Sequence, residues 1–227
     1  MTALILAAIL WVALHLLVAG PWRAGLIRRM GEARYRGLFS GLSAVSLAFL
    51  IWSYGQAPYL EFWPSSQALA VVPLVVMPVA LLLLIGSLRR TNPTLAGPDM
   101  MLKDSLPIQG ITKVTRHPML WAFSLWAASH MVANGDAATW LLAGAVLVTA
   151  LNGMASIDRK RTVKFGQAWQ EFIGKTSIIP FAAVLEGRQH VSLRDIGPWN
   201  ILGAAVLYAL ILAGHGALFG ISALPMN

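Results

Sequence analysis

Residues 115–136 read Thr-Arg-His-Pro-Met-Leu-Trp-Ala-Phe-Ser-Leu-Trp-Ala-Ala-Ser-His-Met-Val-Ala-Asn-Gly-Asp. Proline opens, and Asn-Gly-Asp closes, an apolar run that reads as one membrane helix over residues 118–133. Two of the five histidines stand at its ends, His117 just before the proline and His130 near the close. A chain organised around such a stretch is a set of membrane helices. Its chemistry is to be sought among the few polar side chains that those helices carry.

Composition agrees. Of 227 residues, 57% are hydrophobic and 11% charged, with a mean hydropathy of +0.67, which is not the balance of a soluble globule. Nine Trp suit a protein with bilayer interfaces. Cysteine is absent, which excludes disulfides, zinc–thiolate sites, iron–sulfur clusters and Cys nucleophiles. Any metal site would rest on histidine or carboxylate.

Working outward from 118–133, five further apolar runs approach the roughly 17 to 25 residues that cross a bilayer. They are residues 2–20, 37–56, 67–88, 138–157 and 199–222. Pro73 and Pro78 kink the third, since each removes a backbone donor. The first run resembles a secretory signal, but no Lys or Arg precedes it and His15 lies inside it. It is therefore expected to be a retained span.

All 17 Lys and Arg fall between runs one and two, three and four, or five and six. With six spans these segments share one side, which the positive-inside rule makes cytoplasmic. The expectation is an all-α integral membrane protein with six transmembrane helices, both termini outside and one domain over 1–227. The net charge of +8 then reflects topology and lipid headgroups rather than nucleic acid. Residues 158–174 set Val163, Ala168, Trp169, Phe172 and Ile173 near one face, which predicts an amphipathic helix along the cytoplasmic interface.

This topology sorts the histidines. His15 lies roughly 7.5 Å inside the cytoplasmic end of its span at 1.5 Å per residue, and His117 begins its span on the same side. His130 and His215 lie near the outer ends of theirs, with Tyr208 on the face of His215, and form the second candidate pair of metal ligands. His117 and His130, separated by roughly 20 Å along a helix and about 220° around it, cannot ligate one ion. A haem bound by two imidazoles requires nitrogens on opposite faces of the porphyrin, and His15 and His117, which share a leaflet, could meet those terms. Ala8 and Ala19 leave room beside His15, Arg116 with Arg90 or Arg23 could pair with propionates, and Asn152 could orient a ligand imidazole. The competing reading makes His117 an ordinary interfacial residue, and makes His130 and His215 partners in hydrogen bonds between helices. His190 reads as a solvated surface residue. No Ser/His/Asp triad or phosphate-cradling glycine loop is present, which argues against hydrolase and nucleotide-hydrolysing chemistry.

Thr115-Arg116-His117-Pro118, Leu125-Trp126 through His130, and Asn134-Gly135-Asp136 resemble the bacterial NnrU family. Asp158-Arg159, Phe165-Gly166 and the run 176–189 (Thr-Ser-Ile-Ile-Pro-Phe-Ala-Ala-Val-Leu-Glu-Gly-Arg-Gln) are similar to its plant and cyanobacterial relative, 15-cis-ζ-carotene isomerase. The resemblance implies a haem b whose axial ligands match His15 and His117. It implies cis-to-trans rotation about the central double bond of an apolar polyene that enters from lipid. For NnrU proteins it implies a link to nitrite and nitric oxide reduction, with a non-catalytic haem carrier or sensor as the alternative to the isomerase, and the expected location is the bacterial inner membrane.

Arg-His-Pro at a helix start, followed by Phe-Gly-x-x-Trp and a proline, also resembles membrane methyltransferases that use S-adenosylmethionine. Leu120, Asp158-Arg159, Trp169 and Phe172 depart from that pattern.

Overall fold

The computed structural model describes residues 1–88, 92–95 and 106–224. Among the described residues there is no strand, only an isolated antiparallel bridge between Glu61 and Asp136. The helices are α1 (Thr2–Ala13), α2 (Arg23–Met30), α3 (Glu32–Gly55), α4 (Gln67–Ser87), α5 (Pro118–Ala133), α6 (Ala137–Phe165), α7 (Gln167–Lys175), α8 (Ala182–Leu185), α9 (Leu193–Ile196) and α10 (Pro198–Phe219). Helix is what an apolar chain adopts when each backbone group must find its partner within its own segment.

Among the described residues, α3, α4, α6 and α10 are long and apolar enough to cross a membrane. Residues Thr2–Val18 with Arg23–Met30, bent by 73°, make up to a fifth span. Helix α5 has the predicted bounds, but its 16 residues reach only about 24 Å at 1.5 Å per residue, against a hydrocarbon core of about 30 Å. All six apolar runs form helices; four of them have the dimensions of a span on their own.

The chain divides into two compact units. The first comprises Met1–Val72 and Ala127–Gly153. Its core joins Leu4, Ala7 and Ala8 of α1 to Leu50 of α3 and to Ala138 and Ala145 of α6, and its alanines are small residues that let helix backbones approach. Helix α1 ends in a π-helical turn, Leu14–Val18, where Ala19 N–H donates to the carbonyl of Leu14 at 3.2 Å.

Asn134-Gly135-Asp136 forms a clasp in this unit. The amides of Phe62 and Trp63 donate to Gly135 O at 2.6 and 3.2 Å, and Ala137 N–H donates to Leu60 O at 2.9 Å. A Cβ at position 135 would sit 2.3 Å from Trp63 O, so only glycine admits this approach. Asp136 Oδ1 accepts from Thr139 N–H at 2.9 Å, as an N-cap carboxylate does.

The second unit comprises Pro73–Trp126 and Met154–Asn227. The interfacial helix predicted over 158–174 takes a different form. Helix α6 runs unbroken through Asp158 to Phe165 and stops at Gly166, whose φ of 52° suits glycine alone among common residues. The separate piece is α7, and its Trp169 and Phe172 are buried with Leu106. Its strongest apolar side chains therefore pack on protein rather than on lipid.

In the same unit the hydroxyl of Tyr208 donates to Leu74 O at 3.0 Å. Pro78 lies inside α4 and has no N–H to give the carbonyl four residues back. Tyr208 supplies the missing donor, which is the use the structure makes of a residue expected beside His215.

Candidate functional site

The segment before α5 is held by the loop that follows α7. Arg116 N–H donates to Ser177 O at 2.9 Å, and Phe181 N–H donates to Val114 O at 2.8 Å. Thr115 Oγ1 donates to Ile178 O at 2.7 Å and accepts from His117 N–H at 3.3 Å. Trp121 Nε1–H also donates to Ile178 O, at 2.8 Å. His117 O accepts from Trp121 N–H at 3.0 Å, so His117 is the residue on which the helix begins, with proline at its first position.

These contacts aim two adjacent side chains at one carboxylate. His117 Nε2 lies 2.9 Å from Asp158 Oδ1. Arg116 Nε and Nη2 both lie 2.9 Å from Oδ2, and Nη1 reaches Thr176 O at 3.4 Å. The group is buried: the His117 side chain is 0% exposed, that of Arg116 8% and that of Asp158 12%. A guanidinium and a carboxylate buried together are tolerated because each neutralises the other and hydrogen bonds fill their remaining capacity. His117 Nδ1 has no hydrogen-bond partner among the described residues. If that nitrogen carried a proton, the unpaired buried donor would cost about 1–3 kcal/mol.

His15 belongs to the first unit, on the π-helical turn, a local widening often associated with functional positions. Its Nδ1 lies 2.9 Å from Trp11 O. A carbonyl only accepts, so Nδ1 carries the proton and Nε2 keeps a lone pair. The ring lies 4.0 Å from that of Trp11 and 5.6 Å from that of Phe39. Ala8, expected to leave room beside His15, is packed in the α1–α3–α6 core.

The other candidates are placed as follows. Arg116, expected at headgroup level beside a propionate, is buried on Asp158. Arg90 lies outside the described residues. Asn152, expected to orient a ligand imidazole, is exposed and donates to Val148 O on its own helix at 2.9 Å. His130 Nδ1 lies 3.4 Å from Ser129 Oγ in the first unit. His215 Nδ1 donates to Ile221 O at 2.7 Å in the second. His190 is exposed, as expected.

Asp158 is the residue that sequence reasoning missed as a partner, having set it on an interfacial helix. The available signal was scarcity: nine acidic residues for 17 basic ones, one of them directly continuing an apolar helical run.

Among the described residues no group of three or more His, Cys, Asp or Glu could hold a metal ion. Whether His15 and His117 suit a metal-bearing cofactor rests on their donor atoms. As donors they fit one. His15 and His117 each have one ring nitrogen within hydrogen-bond reach of an oxygen acceptor, Trp11 O at 2.9 Å and Asp158 Oδ1 at 2.9 Å, which is how the outer nitrogen of a ligating histidine is held.

The fold and site define a helical membrane-type protein with a buried imidazole–carboxylate–guanidinium group. The chain matches the NnrU protein family over residues 3–223, and it belongs to that family. It is also 30% identical over 80 residues to the chloroplastic 15-cis-zeta-carotene isomerase of Zea mays. To that of Arabidopsis thaliana it is 31% identical over 80 residues. Each match covers 35% of this chain and 22% of the relative, so the chain spans about a fifth of the length of these curated relatives. No solved structure matches.

Proposed function

We propose that the protein is a membrane-embedded cis–trans isomerase of a lipid-dissolved polyene of the 15-cis-ζ-carotene type, with haem b as cofactor. His15 and His117 would hold it, each offering an imidazole nitrogen to the iron. The observation that carries this reading is the similarity to two 15-cis-zeta-carotene isomerases, within a family match over nearly the whole chain. His117 Nδ1, which has no hydrogen-bond partner among the described residues, and the His15 nitrogen opposite the one held by Trp11 O would supply the ligand chemistry.

When bound, the haem iron supplies a Lewis-acid or one-electron partner that lowers the π-order of the double bond to be rotated. The chain's own part is to bind, orient and exclude water. Asp158 holds the His117 ring, Arg116 balances the charge of Asp158, and burial keeps water from Nδ1. The apolar helices admit a polyene laterally from the bilayer. Six passes with both termini outside, in a bacterial inner membrane, belong to the same proposal.

The test is the visible spectrum of the purified protein, oxidised and reduced, followed by assay on a 15-cis polyene. A Soret band with sharp reduced α and β bands, together with conversion of the polyene, supports the proposal. Full activity in a His15→Ala/His117→Ala double variant ends it. Haem without conversion leaves a haem protein of the nitrite and nitric oxide type, and a featureless spectrum turns the reading to the methyltransferase.

A further inference from the structure

We infer that Asp158 is a positioning residue that sets the tautomer of His117, so that this histidine acts through Nδ1 and not through Nε2. A carboxylate only accepts, so the hydrogen bond between Asp158 Oδ1 and His117 Nε2 at 2.9 Å requires the proton on Nε2. A second proton on Nδ1 would make an imidazolium with a buried N–H and no acceptor among the described residues. The charge of Asp158 does not call for that second cation, because Arg116 already meets its other oxygen with two nitrogens at 2.9 Å. In the neutral ring so bonded, the lone pair is on Nδ1.

The ring has little freedom to choose otherwise. Its backbone N–H is held by Thr115 Oγ1 at 3.3 Å, proline follows it, and its side chain is fully buried. His15 has the opposite arrangement, with Nδ1 donating to Trp11 O, which leaves the lone pair of the neutral ring on Nε2. The protein therefore carries two histidines in opposite tautomers, one set by a helix carbonyl and the other by a carboxylate from a distant helix.

The experiment uses the full-length chain, purified without added haem and labelled with ¹⁵N at the histidine rings. Nitrogen NMR distinguishes a pyrrole-like N–H from a pyridine-like nitrogen, and His117→Gln identifies the signals. The expected wild-type pattern is pyridine-like Nδ1 and pyrrole-like Nε2. In Asp158→Asn the carboxamide can present an N–H to Nε2, so the pattern inverts, while Asp158→Glu keeps the wild-type one. A wild-type His117 with the proton on Nδ1, or an Asp158→Asn variant that retains the wild-type pattern, overturns the inference. If Asp158→Asn fails to fold, the wild-type and Asp158→Glu spectra decide.

A second arm rests on the haem reading above. Haem titrated into the variants is expected to bind Asp158→Asn about 10- to 100-fold more weakly than wild type, with Asp158→Glu close to wild type. Equal affinity in Asp158→Asn overturns the inference. Failure of every form to bind haem sinks the proposed function and leaves the tautomer pattern to decide this inference.

Discussion

Asp158 Oδ1 meets Nε2 of His117 at 2.9 Å across 41 residues of sequence. The carboxylate stands near the end of α6, and the imidazole immediately precedes α5. The other oxygen of Asp158 takes the guanidinium of Arg116. One acidic side chain therefore joins the two helices and orients both members of the Arg-His pair.

Breaking this group from one side is expected to be much worse than removing it. Asp158→Leu leaves a buried guanidinium unpaired and should lower stability by about 3–5 kcal/mol. Arg116→Met strands the carboxylate, with a similar loss. The double variant should lose clearly less than the two singles together. Thermal melting in detergent measures all three, and additive losses would show that the two residues are energetically independent.

Tyr208 and Pro78 form a second testable pair. Tyr208→Phe removes the donor to Leu74 O and is expected to destabilise by about 1 kcal/mol. Restoring a backbone N–H with Pro78→Ala gives Leu74 O a helical partner, after which Tyr208→Phe should have little effect. The melting temperatures of the four members of the cycle check this.

Gly135→Ala is expected to open the loop clasp. The added Cβ meets Trp63 O at 2.3 Å, so Gly135 O loses its bonds from Phe62 and Trp63, about 2 kcal/mol at roughly 1 kcal/mol each. Gly144→Ala in α6, where a Cβ meets nothing within 4 Å, is the control and should stabilise by up to about 1 kcal/mol. Hydrogen exchange over residues 60–63 distinguishes a local opening from global unfolding.

The loop pair Lys113–Asp195 predicts an acid-sensitive tether. The hydrogen bond from the Lys113 ammonium, followed by those from Ser192, holds the Asp195 carboxyl down to about 2. The folded pKa lies below the ordinary value of about 4. The stabilising contribution is therefore complete above pH 4 and is lost as pH falls through about 2. Pepsin cleavage within 192–196 should rise across that window in wild type. In Asp195→Asn the extra susceptibility should already be present at pH 4.

The helices were legible in the sequence because hydropathy is a local property. Runs 67–88, 118–133, 138–157 and 199–222 correspond to α4, α5, the first two thirds of α6 and α10, and Pro118 and Asn134 bound α5 as read. The end of α6 was not legible in the same way. Amphipathic spacing over 158–174 assigned one interfacial helix, yet nothing in 158–165 stops a helix, and Gly166 is the first residue that does. The Asn-Gly-Asp close was seen as a feature of its helix, but its bonds are to residues 60–63, more than 70 positions earlier.

What the sequence by itself determined is the class of structure and the short inventory of chemistry: apolar helices, no thiol, five histidines and few carboxylates. Helix formation follows from satisfying each backbone group within its own segment. Only the tertiary structure decided which polar groups meet. It gave His117 to Asp158, turned Arg116 inward, placed the Tyr208 hydroxyl on Leu74 O and left Asn152 exposed on its own helix. A buried carboxylate must be paired wherever it lies, but its partner depends on how helices pack, and no local pattern encodes that.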